Sequence, residues 1–316
     1  MNAVRHYIVR RLLSAVPVLL GISLLAFVLA QLSPGDPAEI MLEAAGTGMP
    51  SAEEVAALHS YLGLDQPVYV QYGLWLWRIL HGDGGISYHL GLPVFTVLLA
   101  RLPVTVMLAA ASLCWAAVGG IGLGLLMARM RGTWAAMLLH GVTQVMLATP
   151  SFLTAILLIL IFGVWLHVLP TNGVDAAAGY LLPSFALALV TLAMTAQLLD
   201  VQLREALASL YAQTARLRGL SEGRVLLTYA LPNALVPVTA MLGNFAAAVL
   251  GGAIIVETVF ALPGIGSLAL DAIHYRDYPL LQGYVLFLGG IYVLVTLAVD
   301  LILARMDPRI VLGGGD

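Results

Sequence analysis

The chain contains no lysine: all 14 of its basic residues are arginine. A P-loop needs a lysine on the nucleotide phosphates, and Schiff-base chemistry needs one as its nucleophile. ATP hydrolysis by that route and a lysine-bound cofactor are therefore excluded from this chain. Cysteine occurs once, at Cys114 in an apolar stretch, which excludes an internal disulfide and a thiolate metal cluster. Charge is scarce everywhere, at 10% of residues, against about 25% in soluble globular domains. No Ser/His/Asp or HExxH arrangement and no nucleic-acid-binding patch occurs.

What fills the 316 residues is apolar: 61% are hydrophobic, and the mean hydropathy is +0.97. The expected fold class is an all-α polytopic membrane protein, since a bilayer core takes about 20 apolar residues of helix. Six stretches qualify: 12–32, 104–127, 135–166, 182–199, 235–259 and 282–303. The third is long and contains Pro150, which predicts a kink with Ser151 just after it, or two half-segments in its place. The first resembles a signal peptide, with Val28-Leu29-Ala30 as a weak cleavage site, but its apolar run exceeds the usual core of about 7–15 residues.

Arginine asymmetry sets the expected orientation. Arg5, Arg10 and Arg11 precede the first stretch, and Arg129 and Arg131 follow the second. Arg204, Arg216, Arg218 and Arg224 follow the fourth; Arg305 and Arg309 follow the sixth. With six crossings all of these fall on one side, leaving Arg78, Arg101 and Arg276 opposite. Both termini are then cytoplasmic. The organisation expected is an N-terminal span over 1–36, an external insertion over 37–101, a core over 102–309 and a tail over 310–316. Within the insertion, Ser51 followed by Glu53 and Glu54 predicts a capped helix start. Tyr69, Tyr72, Trp75 and Trp77, beside Leu76, Ile79 and Leu80, predict a segment anchored on the outer leaflet or on neighbouring helices.

A polar island, QTARLRGLSEGRVLLTYALP at 213–232, separates the fourth and fifth stretches. Residues 210–218 can form a short helix. Gly219 suits the left-handed position that ends it, and Leu220 supplies the apolar contact that often follows. Ser221 is placed to cap a second helix running toward Leu231, and Pro232 to break or bend that helix before the fifth stretch. The island reads as a helix–turn–helix elbow, or more plainly as a solvated loop. Arg216 and Arg218 are two apart and do not share a face, so at least one can meet a partner's carboxylates.

Polar residues within the stretches offer a second set of candidates. His140, Thr143, Gln144 and Ser151, with Ala148, fall on one helical face unless Pro150 turns Ser151 away. Ser184, Ala188, Thr191 and Thr195 form another stripe, and Asn244, Ala248 and Gly251 a third. Such residues either line a path or let helices pack closely. A single histidine at 140 cannot hold a metal, and Met137 and Met146 read as packing. Glu257, the one carboxylate in the fifth stretch, serves as a gate or as an interhelical hydrogen bond.

The island's spacing resembles the EAA loop of ABC importer permeases. Gln213-Thr214-Ala215 stands at the Glu-Ala-Ala triplet, Gly219 at the glycine, Tyr229 at the apolar site, and Leu231-Pro232 at the end. Gln213 departs from the glutamate and Thr214 from the first alanine. More of the chain resembles the dipeptide/oligopeptide/nickel branch. The matching pieces are Arg10-Arg11, Pro34-Gly35-Asp36-Pro37, Leu62-Gly63-Leu64-Asp65-Gln66-Pro67, Gln71-Tyr72-Gly73, Val259-Phe260 with Pro263-Gly264-Ile265-Gly266, and Asp307-Pro308-Arg309.

The resemblance implies a type I importer fold in the bacterial inner membrane. It implies a second, homologous permease, a binding protein outside, and two cytoplasmic ATPase subunits that bind ATP and Mg. The coupling loop would run over 205–232, with Gln213, Thr214, Ala215, Arg216, Arg218, Gly219, Leu220, Leu231 and Pro232 engaging the ATPase. His274, Arg276 and Asp277 in the outer loop 262–279 would meet the binding protein or the sister subunit. Ala215-Arg216-Leu217-Arg218-Gly219-Leu220 and Trp75-Leu76-Trp77 look more like the nickel branch. The expected substrate is therefore nickel or a nickel chelate, with dipeptides or oligopeptides as the alternative. A secondary transporter would instead want deep charges in several spans and an internal repeat; neither is evident.

Overall fold

A computed structural model describes residues 2–32, 35–44, 50–171 and 177–306. Pro34, the Asp307-Pro308-Arg309 motif and the 310–316 tail lie outside these. Helix is the dominant solution, because apolar stretches of this length must satisfy their backbone groups internally in lipid. The elements are α1 (Asn2–Gln31), α2 (Pro37–Ala44), α3 (Ala52–Leu62), α4 (Val68–Leu80) and α5 (Val94–Cys114). A π-helical turn (Trp115–Gly119) leads into α6 (Gly120–Arg129), followed by α7 (Trp134–Ala148) and α8 (Ser151–Leu158). Next come α9 (Leu181–Ala208), α10 (Leu210–Leu217), α11 (Glu222–Arg224), α12 (Leu231–Gly252), α13 (Ile254–Val259), α14 (Ile265–His274) and α15 (Tyr278–Met306).

Among the described residues, five helices have the length and composition to cross a membrane: Val9–Gln31, Val94–Arg129, Ala177–Ala208, Glu222–Gly251 and Tyr278–Arg305. The sixth expected stretch is broken. Trp134–Ala148 and Ser151–Trp165 meet at 103°, far beyond a kink, so two half-segments describe it better. Thr149 precedes a proline and takes an extended conformation (φ −92°, ψ 117°), as the Pro ring requires. Pro150 then opens α8, its carbonyl accepting from the Thr154 amide at 3.1 Å. Ser151 consequently leaves the face that carries His140.

Contacts divide the chain into two units. One comprises Arg5–Thr105 and Pro263–Val293. In it α4 lies along α1: Ser23 and Tyr72 hydroxyls are 2.8 Å apart, and Phe27 packs against Tyr72 and Trp75 at 5.4 and 5.7 Å. Tyr69 and Trp77 stay exposed, so the four aromatics divide between packing and surface. The α3 start is a full capping box, with Ser51 Oγ accepting from the Glu54 amide and Glu54 Oε2 accepting from the Ser51 amide. Val94, Val97 and Leu98 of α5 form a core with Ile265, Leu268 and Ala272 of α14 and Leu280 and Tyr284 of α15.

The outer loop expected at 262–279 thus contains a packed helix. At its end Asp277 caps α15, accepting from the Leu280 amide at 3.2 Å and from Ser87 Oγ and the His89 amide. Asp36 hydrogen-bonds His59 at 2.7 Å. Burial pushes its pKa up, but His59 and the amides of Ala38 and Glu39 together hold the carboxyl below its usual range.

The other unit comprises Val106–Leu262 with the two chain ends. Helix α9 is its axis, burying residues on several faces from Leu182 to Ala206. Helix α6 approaches it through glycines. A Cβ on Gly120 would stand 2.5 Å from Thr195 Cβ, and one on Gly124 2.8 Å from the Ala196 carbonyl oxygen. Leu199, Leu203 and Ala206 of α9 meet Ala234 and Val238 of α12, with Ala230 between.

Candidate functional site: the elbow and the polar seam beside it

The elbow forms where the chain leaves α9. Ser209 takes an extended conformation (φ −69°, ψ 159°) between α9 and α10. Gly219 has φ +82°, the left-handed position, where a side chain is strained. The Leu220 amide reaches back to the Ala215 carbonyl at 3.3 Å, and the Gly219 amide to that of Arg216 at 2.9 Å. Ala212 and Ala215 of α10 pack with Val225, with Leu207 and Leu220 alongside. That apolar inner face sets α10 against the next helix and turns its other face outward. On the outer face Leu210 is 82% exposed and Leu217 89%. Gln213, Thr214 and Arg218 are exposed with them.

The structure adds detail to the elbow. Of the two arginines, Arg218 is exposed while Arg216 is engaged within the elbow. Its Nε and Nη2 donate to the two Glu222 oxygens at 2.8 and 3.2 Å, and Nη1 donates to the Leu207 carbonyl at 2.9 Å. The fork thus ties the end of α9 to both arms of the elbow. Pro232 does not break the helix. From Glu222 the chain passes through a π-helical turn (Val225–Ala230) directly into α12, with Pro232 in its first turn. The Leu231 amide bonds to Leu226, five residues back, so the widened turn takes up the register just before the proline. Ser221 does occupy the N-cap in an extended conformation, but its side chain makes no capping bond.

Sequence reasoning missed a buried carboxylate of this unit, Asp200. The Asp200 side chain is 2% exposed. It accepts from Arg131 at 3.0 Å and from Arg204, one turn on, at 3.2 Å; His140 Nε2 lies 3.6 Å away. One turn earlier, Gln197 Nε2 donates to Thr143 Oγ1 at 2.9 Å. A polar seam therefore joins α9 to α7 and to the turn before it. The signal available was Asp200 four residues before Arg204, the i,i+4 arrangement of a helical ion pair. It lies one residue past the apolar stretch, where hydropathy alone gives no cue.

The expected path residues separate into two groups. Thr143, Thr195, Ser184 and Glu257 are fully enclosed. Thr195 sits against Gly120, which is why that helix crossing is close. Thr191 and Ser151 are half-buried. Gln144, Asn244, Ala248 and Gly251 remain exposed. His140 faces Asp200, and no group of three or more His, Cys, Asp or Glu suited to a metal occurs among the described residues.

Comparison with known proteins places this architecture. The model of the family described as binding-protein-dependent transport system inner membrane component matches residues 120–312. The model of its N-terminal component matches residues 4–109. A Brucella suis biovar 1 (strain 1330) protein, named for a peptide transport system permease, is 38% identical over 311 residues, covering 96% of this chain and 98% of that one. A glutathione transport system permease protein of Escherichia coli K12 is 35% identical over 305 residues with the same coverage. The inward-facing MetNI methionine ABC transporter shares the fold, with a TM-score of 0.56 and 17% identity over 67% of this chain and 97% of that chain. The chain therefore belongs to the family of inner-membrane components of binding-protein-dependent transport systems, the permease subunits of ABC importers.

Proposed function

We propose that this subunit forms half of a peptide translocation path and that its elbow is the handle by which a cytoplasmic ATPase drives it. The single observation that carries the coupling reading is α10 itself: a short helix fixed on its inner face, offering Leu210, Gln213, Thr214, Leu217 and Arg218 outward beside a glycine hinge. Two exposed leucines next to an arginine suit a groove of mixed apolar and acidic character. The elbow and both termini are on the cytoplasmic side, following the arginine bias. ATP and Mg belong to two ATPase partners, a homologous permease completes the path, and an external binding protein delivers substrate.

Peptides are the favoured cargo. The relatives named above carry peptide and glutathione names, and the nickel expectation gives way to the peptide alternative. Exposed Gln144 and Asn244 are neutral hydrogen-bonding groups, which suit a peptide backbone. The test is purification of the full complex with its ATPase in wild-type and Gly219→Pro forms. Proline fixes φ near −65°, so the variant should insert in the membrane yet lose ATPase association or ATP-driven dipeptide uptake. Unchanged association and uptake overturn the reading.

A further inference from the structure

Asp200 is charged, buried and unused by the coupling reading as it stands. A carboxylate is costly to bury unless it is paired, and here three cationic or protonatable groups from three places converge on it. Arg204 comes from its own helix, Arg131 from the turn between α6 and α7, and His140 from α7. Arg131 also donates to the Asp200 main-chain oxygen at 3.4 Å, so it grips helix as well as side chain. Gln197 and Thr143 extend the same seam by one turn. Asp200 lies two turns before α9 ends at Ala208, and the elbow begins at Leu210. Helix α7, on the other side of the seam, is the first half of the broken pair that turns by 103° into α8.

We propose that Asp200 is a positioning residue for transport: it locks α7 to the end of α9, so that a displacement of the elbow is delivered to the broken helix. The proposal rests on the elbow being the ATPase handle. Apolar packing alone would let two helices slide by small steps, whereas a buried charge has a few discrete arrangements. The carboxylate thus makes α9 and α7 move as one body, and the break at Thr149-Pro150 becomes the place where that movement is converted into rotation of α8.

The experiment uses the complete complex with its ATPase in lipid vesicles, in a Cys114→Ser background. Exposed Phe152 of α8 is replaced by cysteine and carries an environment-sensitive label. The readout is the change in label signal on adding ATP, alongside ATP hydrolysis. In Asp200→Asn, hydrolysis should continue while the label response falls about tenfold, within the range of coupling between distinct sites. Asp200→Glu, which keeps the charge, should restore much of the response. Arg131→Gln, a change at a half-exposed side chain that leaves Arg204 and His140 in place, should give an intermediate loss. A wild-type response in Asp200→Asn overturns the proposal. So does a parallel loss of assembly, hydrolysis and response in both Asp200→Asn and Arg131→Gln, because that is a purely structural role. If Gly219→Pro couples normally, the elbow reading has failed; if it uncouples while Asp200→Asn does not, only the seam has failed.

Discussion

Gly219 has nothing within 4 Å of where a Cβ would stand, so a side chain there is opposed by the backbone alone. Alanine in the left-handed region costs about 1–2 kcal/mol, asparagine less, and a β-branched residue more. ATP-driven uptake by reconstituted complexes should therefore rank Gly219, then Gly219→Asn, Gly219→Ala and Gly219→Val. An equal loss in all three would mean that the side chain, and not the hinge angle, is what matters. Arg216 works differently. Its pair with Glu222 is largely exposed, and such pairs contribute about 1 kcal/mol at most. Its value is directional, through three donors on two acceptors groups. Arg216→Lys keeps the charge but cannot span both, so it should leave expression intact and lower transport per ATP hydrolysed.

Tyr88 gives a residue-level test in the other unit. Burial, aided by the Asp277 charge, pushes its phenol from 10.0 up to about 12. The folded state then holds the proton more tightly than the unfolded chain. Its contribution to stability is intact below pH 10 and is lost as pH climbs toward 12. Loss of helical circular dichroism across that window should begin later in Tyr88→Phe, which has no proton to lose. Coincident alkaline curves would sink the assignment. At this scale the sequence was legible where backbone geometry dictates residue type, as at Gly219 and Ser51. It was illegible for Thr143, Thr195 and Arg216, because a hydroxyl or a guanidinium reads the same on paper whether it faces a path, a neighbouring helix or a partner.

Elements were legible through length and apolarity, and most of the expected stretches recur within longer helices. Where the elements differ, proline is the reason, and its effect depends on position. Pro150 follows a helix and forces an extended residue before it, producing the 103° break. Pro232 opens a helix and is absorbed by the π-helical turn ahead of it. Sequence distance alone does not distinguish the two cases. The α6–α9 crossing shows the other element-scale determinant, since Gly120 and Gly124 bring a backbone against Leu192, Thr195 and Ala196. A Cβ on Gly124 meets main chain that cannot rotate away. Gly124→Leu should thus force the helices apart and cost about 1–3 kcal/mol, the range for overpacking. The same change at Gly122, which has open space around it, should be nearly neutral. Unfolding midpoints of the two variants in detergent would separate them, and equal midpoints would deny the crossing its role.

On the scale of the whole molecule, the family was legible because weak motifs occur in order along the entire chain, and the match of both family models over 4–109 and 120–312 follows that order. Cargo was not legible, because on the proposed division of labour an external receptor recognises it and nothing in the chain needs to bind it tightly. The Arg-Leu-Arg run at 216–218 suggested nickel, yet Arg216 is occupied inside the elbow and Leu217 is exposed on it, so the run is part of the elbow's own construction. Peptide and metal import can be set against each other directly. Vesicles holding the complex and its receptor should accumulate a labelled dipeptide only with ATP inside the receptor-free compartment, and unlabelled glutathione or dipeptide should compete. Free or histidine-chelated nickel should neither accumulate nor compete. Replacing Asn244 and Gln144 by leucine removes the exposed neutral donors and should lower the maximal rate of dipeptide uptake severalfold, while receptor affinity stays unchanged because recognition happens on another chain. Nickel accumulation that depends on ATP, with no dipeptide uptake, would return the cargo to the metal and leave the elbow and its seam untouched.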